Sequence, residues 1–201
     1  MEKIINIFGD SIVRGACDSE MGGWANRLQI YLSSKIDDYF EVYNLGIGGD
    51  NSEELLTRFS NENASRNPNT ILIAIGINDS QYINSKDNPR VPLQKFEQNL
   101  MELIKQAKKF TEEIIFVGLT KVDETRLMPV PWDETKYYDE SNGALYNAKI
   151  KEICEKNKLL FIPMLDLLSD EDLGDGLHPN SNGHEKIFLR VKDFLEKNKI
   201  V

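Results

Sequence analysis

A chain of 201 residues can bury one substantial core and is slightly short for two, so a single domain over 1–201 is expected. Its 33 acidic and 24 basic side chains leave a formal charge of −9, which argues against a nucleic-acid partner, because phosphate binding depends on clustered Lys and Arg. No apolar run approaches a membrane span, and only five residues separate Met1-Glu2-Lys3 from Gly9-Asp10, too few for an export signal, so a cytoplasmic protein without stable membrane insertion is expected.

The apolar run Ile4-Ile5-Asn6-Ile7-Phe8 stops abruptly at Gly9-Asp10-Ser11 and reads as a buried strand that delivers a hydroxyl at its carboxyl end. By itself Asp10-Ser11 is equally a turn with a helix cap. A helical pattern follows, with Trp24, Leu28, Tyr31 and Leu32 on its core face. The second strand, Glu41 to Leu45, runs into Gly46-Ile47-Gly48-Gly49-Asp50, and a helix starts near Ser52 with Asn51 or Ser52 as its cap.

The third strand, Thr70 to Ile75, stops at Gly76-Ile77-Asn78-Asp79. A polar loop, Ser80 to Pro92, leads to a helix over about Leu93 to Lys109, and the fourth strand, Ile114 to Val117, ends at Gly118. The long connection Leu119 to Tyr138 carries Pro129, Pro131, Trp132 and Tyr137, and loops of that length usually serve a binding site. A helix from Ser141 to Lys156, a fifth strand from Leu159 to Ile162, the loop Asp175-Gly176-Leu177-His178-Pro179 and a helix from Asn182 to Lys197 complete the chain. Strands alternating with helices predict right-handed crossovers and one three-layer α/β/α sandwich around a five-stranded parallel sheet.

That architecture collects the carboxyl ends of the strands on one edge, where open α/β sheets bind ligands. A serine hydroxyl there needs an adjacent base, usually a histidine oriented by a carboxylate. The chain has two histidines. His184 falls in the first turn of the last helix and reads as a surface or packing residue, whereas His178 follows Asp175 by three residues in a loop stiffened by Pro179. The backbone N–H groups of Ser11 and Gly49 and the side-chain amide of Asn78 are candidate donors to an oxyanion. Cys17 and Cys154 are expected as free thiols, and nothing near Cys17 lowers its pKa enough to favour it as the nucleophile. A reading from another class takes Gly46 to Gly49 and the following helix start as a non-catalytic phosphate or nucleotide cradle, although the spacing fits no dinucleotide fingerprint.

Phe8-Gly9-Asp10-Ser11, Asn44-Leu45-Gly46-Ile47-Gly48-Gly49-Asp50, Gly76-Ile77-Asn78-Asp79 and Asp175-Gly176-Leu177-His178-Pro179 together resemble, in order, the four sequence blocks of the GDSL, or SGNH, hydrolase family. Ile12 stands where the commonest first block has Leu, a volume-conserving change. The resemblance implies a flavodoxin-like sandwich and a serine esterase or acylhydrolase, with no metal or organic cofactor. It assigns Ser11 as nucleophile, His178 as base with Asp175 as its partner, and Ser11, Gly49 and Asn78 as the oxyanion hole. A small-molecule substrate with a short acyl or acetyl ester, of lipid or carbohydrate, is expected. Asp10, Ile83, Val130 and Trp132 are candidates for contacting it, with the loops Ser80–Pro92 and Leu119–Tyr138 as the walls of the site.

Overall fold

A computed structural model describes residues 2–35 and 39–201; Met1 lies outside the described residues, and with it the start of the Met1-Glu2-Lys3 segment. In chain order the elements are β1 (Glu2–Gly9), α1 (Ser11–Arg14), α2 (Trp24–Ser33), β2 (Tyr39–Gly46), α3 (Ser52–Arg66), β3 (Thr70–Ala74), α4 (Ile77–Ser80) and β4 (Tyr82–Ile83). They continue with α5 (Leu93–Ala107), β5 (Ile114–Val117), β6 (Lys136–Tyr137), α6 (Glu140–Asn157), β7 (Leu160–Ile162) and α7 (Ser181–Lys197). Five strands form an all-parallel sheet in the order β2-β1-β3-β5-β7, the flavodoxin-like arrangement, in which the direction of winding reverses between β1 and β3.

The apolar runs form strands because both faces of each are covered. In β1, Ile5 and Ile7 pack with Trp24, Leu28 and Leu32 of α2 and with Ile187 and Val191 of α7, while Phe8 faces Leu55 and Phe59 of α3 on the other side. β3 divides likewise, with Leu72 on the first face and Ile71 and Ile73 on the second, where Phe96 and Leu100 of α5 also pack. The Phe8 and Phe59 rings lie 4.6 Å apart between centroids. Burying each such side chain removes enough apolar surface from water to stabilise the fold by about 1.5–3 kcal/mol. Tyr31, expected in the core with its α2 neighbours, is only half-buried; its phenol needs a polar partner, and it donates to Glu196 at the rim.

Register places the site. Gly9 is level with Gly46 of β2 and with Ala74 of β3, so the loops after the three strands leave the sheet side by side. The helix after β2 starts with Asn51 as its cap: Asn51 Oδ1 accepts from the N–H groups of Glu53 and Glu54, and Glu54 returns a carboxylate to the Asn51 N–H at 2.9 Å. The third strand ends at Ala74, one residue before the expected Ile75, because the chain turns there into the short helix α4. β4 and β6 form a separate antiparallel pair, Tyr82 opposite Tyr137 and Ile83 opposite Lys136, inside two segments expected only as loops. Two-residue strands carry too little periodicity to be read from sequence. No helix among the described residues is long and apolar enough to cross a membrane.

Candidate active site

The geometry at the end of β1 depends on a close approach at Gly9. A Cβ there would stand 2.3 Å from Val13 Cγ2 and 2.4 Å from the Ala74 carbonyl oxygen, so only glycine lets α1 fold back onto β3. Asp10 caps the short helix by accepting the Ile12 N–H at 2.9 Å, which leaves Ser11 as its first residue, 8% exposed at the sheet edge. Burial pushes the Asp10 carboxyl up to about 7; the Ile12 N–H and His178 act against this, and Asp79 and Asp50 add to it.

Ser11 Oγ lies 2.8 Å from His178 Nε2, and His178 Nδ1 lies 2.6 Å from Asp175 Oδ2. The other carboxylate oxygen, Asp175 Oδ1, accepts the backbone N–H groups of Leu177 at 2.9 Å and His178 at 2.8 Å. Burial opposes ionisation of Asp175, but the donations from the His178 ring and these two N–H groups outweigh it and hold the carboxyl well below the usual range. An ionised Asp175 accepts only, so it selects the tautomer with the proton on Nδ1 and leaves the Nε2 lone pair for the Ser11 hydroxyl. The loop is braced at its neck by the Gly174 N–H donating to the His178 carbonyl at 2.8 Å, and by Arg126 Nη2 donating to the Gly174 carbonyl at 2.8 Å.

Asn78 sits in α4, across the β1/β3 reversal from Ser11. Its Nδ2 donates to the Asp50 carbonyl at 2.9 Å, and its Oδ1 accepts from the Tyr138 hydroxyl at 2.7 Å. The two bonds fix the amide plane and leave the second Nδ2 hydrogen free. Gly49 has φ of +85°, a conformation that disfavours any side chain although space is open around it, and its carbonyl accepts from Arg90 Nη1 at 2.9 Å. Among the described residues neither the Ser11 nor the Gly49 N–H donates to a protein acceptor. Asp79, next to Asn78, is fully buried and accepts both the backbone N–H and the hydroxyl of Ser52, tying α4 to the start of α3. Burial pushes its carboxyl up to about 6 against the pull of those donors.

These groups open onto a cleft of about 500 Å³ lined by Ser11, Gly49, Asn78, Trp132, Tyr138 and His178, with Arg14, Gly48, Gln81, Arg90, Lys136 and Leu177 around them. Both expected wall segments reach it, joined to each other by the β4–β6 pair. Trp132 is 54% exposed, with its ring 6.2 Å from that of His178. The other three candidates for substrate contact do not line the cleft. Val130 is 0% exposed, because the turn that bridges it to Asp133 drives its side chain into the core. Ile83 is committed to its pairing with Lys136, and Asp10 is turned back to cap α1. Tyr138, Gln81, Arg14, Arg90 and Lys136 were not foreseen, because no residue-type pattern marks them out from other loop positions.

Other expectations settle similarly. Cys17 and Cys154 are free thiols. Cys17 Sγ donates to Asp175 Oδ2 at 3.7 Å, and burial together with Asp175 raises its pKa, the opposite of what a thiolate nucleophile needs. Cys17, Asp175 and His178 are the one trio of His, Cys, Asp or Glu among the described residues with ligand atoms within 4.8 Å of one another, and Asp175 Oδ2 accepts from both other members. His184 is 0% exposed: Nδ1 accepts the Trp24 N–H at 3.3 Å and Nε2 donates to the Ala16 carbonyl at 3.0 Å, a packing role. For the phosphate-cradle reading, the donors of the helix start are taken, because Asn51 and Asp79 already hold the N–H groups of Ser52, Glu53 and Glu54, while the Gly49 N–H in the preceding loop stays unengaged.

A flavodoxin-like sheet with a hydrogen-bonded serine, histidine and aspartate at its winding reversal has the layout of a hydrolase of the three-layer α/β/α kind. The GDSL-like lipase/acylhydrolase family matches residues 7–186; the chain belongs to this family and is a hydrolase acting on ester bonds. It is similar to the isoamyl acetate-hydrolyzing esterase 1 homolog of Rattus norvegicus, 27% identical over 95% of this chain and 80% of that protein. It is 30% identical to an uncharacterized lipoprotein of Bacillus subtilis over 51% of this chain, an alignment that spans 42% of the lipoprotein. Its fold is similar to that of the acetylxylan esterase from Geobacillus stearothermophilus, with a TM-score of 0.74 at 22% identity over 96% of this chain and 93% of that one.

Proposed function

We propose that the chain is a serine esterase that cleaves short-chain acyl or acetyl esters through an acyl-enzyme on Ser11. The observation that carries the reading is the unbroken relay from Ser11 Oγ to His178 Nε2 at 2.8 Å and from His178 Nδ1 to Asp175 Oδ2 at 2.6 Å. His178 takes the hydroxyl proton as Ser11 attacks the ester carbonyl, and Asp175 stabilises the imidazolium that forms. The oxyanion of the tetrahedral intermediate is held by the N–H groups of Ser11 and Gly49 and by Asn78 Nδ2. Each such donor contributes about 2.7–4 kcal/mol to transition-state stabilisation. His178 then protonates the leaving alcohol, and water activated by the same nitrogen releases the acid.

The acyl preference is supported by the relatives: the names of the rat protein and the Geobacillus enzyme both describe hydrolysis of acetate esters. The lipid or carbohydrate nature of the alcohol is left to the test. A cytoplasmic setting is part of the proposal, supported by two unpaired thiols; fractionation of the source cells checks it, and recovery with a membrane or export fraction overturns it. The central experiment combines labelling by a serine-directed fluorophosphonate with hydrolysis of an ester panel graded in acyl length and including acetylated sugars. Stoichiometric labelling at Ser11, loss of turnover in Ser11→Ala and a maximum at acetyl to butyryl are expected. Undiminished turnover in Ser11→Ala would overturn the nucleophile assignment, and a maximum at long acyl chains would overturn the acyl preference.

A further inference from the structure

The charge lining the cleft is the reverse of the charge of the chain. Acidic side chains outnumber basic ones 33 to 24 overall, yet the cleft wall carries Arg14, Arg90 and Lys136 and no carboxylate. Two of the cations are already engaged. Arg90 donates to the Gly49 carbonyl and to both carboxylate oxygens of Glu54, at 2.9 to 3.0 Å, and Lys136 pairs with Asp133 at 3.0 Å. Arg14 is not: it is exposed, and among the described residues it makes no hydrogen bond or ion pair through its side chain. Three residues beyond Ser11, its guanidinium lies against the Gly48 backbone, where a Cβ would stand 3.4 Å from Nε and 3.5 Å from Nη2. The guanidinium thus stands at contact distance beside the loop that carries Gly49.

We propose that Arg14 binds an anionic group of the substrate, so that the preferred ester carries a carboxylate or a phosphate close to the scissile bond. The inference rests on the assignment of Ser11 made above and deepens it by naming the class of substrate. A guanidinium presents parallel N–H donors that match the two oxygens of a carboxylate or phosphate, and an unengaged one has its full donor set to offer. The charge of Arg14 is uncompensated, unlike those of Arg90 and Lys136, and acts over a Debye length of about 8 Å at physiological salt, favouring an anion and disfavouring a cation beside Ser11. The acidic remainder of the surface makes the cleft the place where such a substrate is accepted.

The test compares kcat/KM for acetate release from 3-acetoxybenzoate and from its neutral isostere 3-acetoxybenzamide, with 4-acetoxyphenyl phosphate and 4-acetoxybenzamide as the phosphate arm. Each anion-to-neutral ratio is measured in the wild type, Arg14→Gln and Arg14→Lys. Taking ratios between variants cancels the intrinsic reactivity of the esters. A charge-assisted contact of ordinary strength predicts a fall of about tenfold or more in Arg14→Gln, partial recovery in Arg14→Lys and a decline with added salt in the wild type. The arm with the larger fall identifies the anion. Ratios in both arms that stay within twofold of the wild type in Arg14→Gln would overturn the proposal, while Ser11→Ala, inactive on every ester, would leave the nucleophile assignment standing. Turnover retained by Ser11→Ala would instead overturn the underlying assignment.

Discussion

The hydroxyl of Tyr138 donates to Asn78 Oδ1 at 2.7 Å across 60 residues of sequence, inside a part of the site where both side chains are buried. The long connection between β5 and α6 therefore does more than wall the cleft: Tyr138, near its end, sets which way the Asn78 amide faces. Without the phenol the amide loses one of its two anchors and can turn away from the direction in which the proposed oxyanion hole needs a donor. Tyr138→Phe leaves a buried acceptor unpaired, a change that costs about 1–3 kcal/mol. We expect kcat to fall about 10- to 100-fold with KM changed less than threefold; a variant altered in KM alone would count against a positioning role.

Asp175 accepts from the Leu177 and His178 N–H groups, the His178 ring and the Cys17 thiol, and Asn at that position can keep only the bonds made to its carbonyl oxygen. Asp175→Asn loses the charge that would stabilise the imidazolium of the proposed mechanism and offers its amide nitrogen where the His178 ring donates. The expected loss of kcat is about 10²- to 10⁴-fold, smaller than for Ser11→Ala, because members of such a relay act as a unit. Steady-state kinetics on one chromogenic acetate ester ranks the two variants, and an Asp175→Asn enzyme at wild-type rate would remove Asp175 from the mechanism.

Trp132 and Val130 separate substrate contact from packing. Trp132 stands over the cleft beside His178, so Trp132→Ala should raise KM severalfold with little effect on the melting temperature. Val130 is fully enclosed, so Val130→Ala should cost about 1–3 kcal/mol of stability through lost burial and a residual cavity. Thermal melts and KM values for the pair should show opposite patterns. Coincident patterns would mean that the connection responds as one body.

Asp10 gives a pH dependence of definite sign. Its carboxyl is held up at about 7 in the folded chain against an ordinary value of 3.8. The stabilising contribution of the proton is complete below about pH 4 and is lost as pH rises through 7, by at most about 4 kcal/mol. Asp10→Asn keeps an acceptor for the Ile12 N–H and carries no charge to bury. Its stability should therefore decline less than that of the wild type between pH 4 and 7, and the variant should be the more stable protein at pH 8. Asp79, also raised, leaves both proteins a residual decline toward pH 6. Chemical denaturation across this range checks the sign, and parallel profiles would refute the burial of an ionisable Asp10.

Gly49 tests backbone conformation apart from space. Nothing lies within 4 Å of a Cβ built there, but φ is +85°, so Gly49→Ala should lower stability by about 1–2 kcal/mol without a clash. Because alanine keeps its N–H, any loss of kcat would report movement of the loop. A melting temperature equal to that of the wild type would show that the loop had already relaxed to negative φ.

What the chain alone determined was local. Apolar runs ending in Gly, Asp or Asn marked the sheet strands, since a strand covered on both faces must be apolar throughout and must leave the sheet through a residue that can turn. Ser11, Asn78, Asp175 and His178 stood out as candidates for a related reason: nucleophile, donor, base and carboxylate are residue types with few substitutes, each of these four occupies a strand end or a Gly-containing loop, and the structure links Ser11, His178 and Asp175 by hydrogen bonds. Side-chain direction inside the long loops was not legible. Val130 and Trp132 are both apolar and two residues apart, yet one enters the core and the other the cleft, because the turn linking Val130 to Asp133 and the β4–β6 pairing orient the segment. The bond from Tyr138 to Asn78 and the gathering of Arg14, Arg90 and Lys136 around Ser11 were decided only by tertiary structure. Such contacts join residues far apart in sequence and leave no periodic trace; they exist because β1 and β3 end at the same level and the loops beyond them must share one edge.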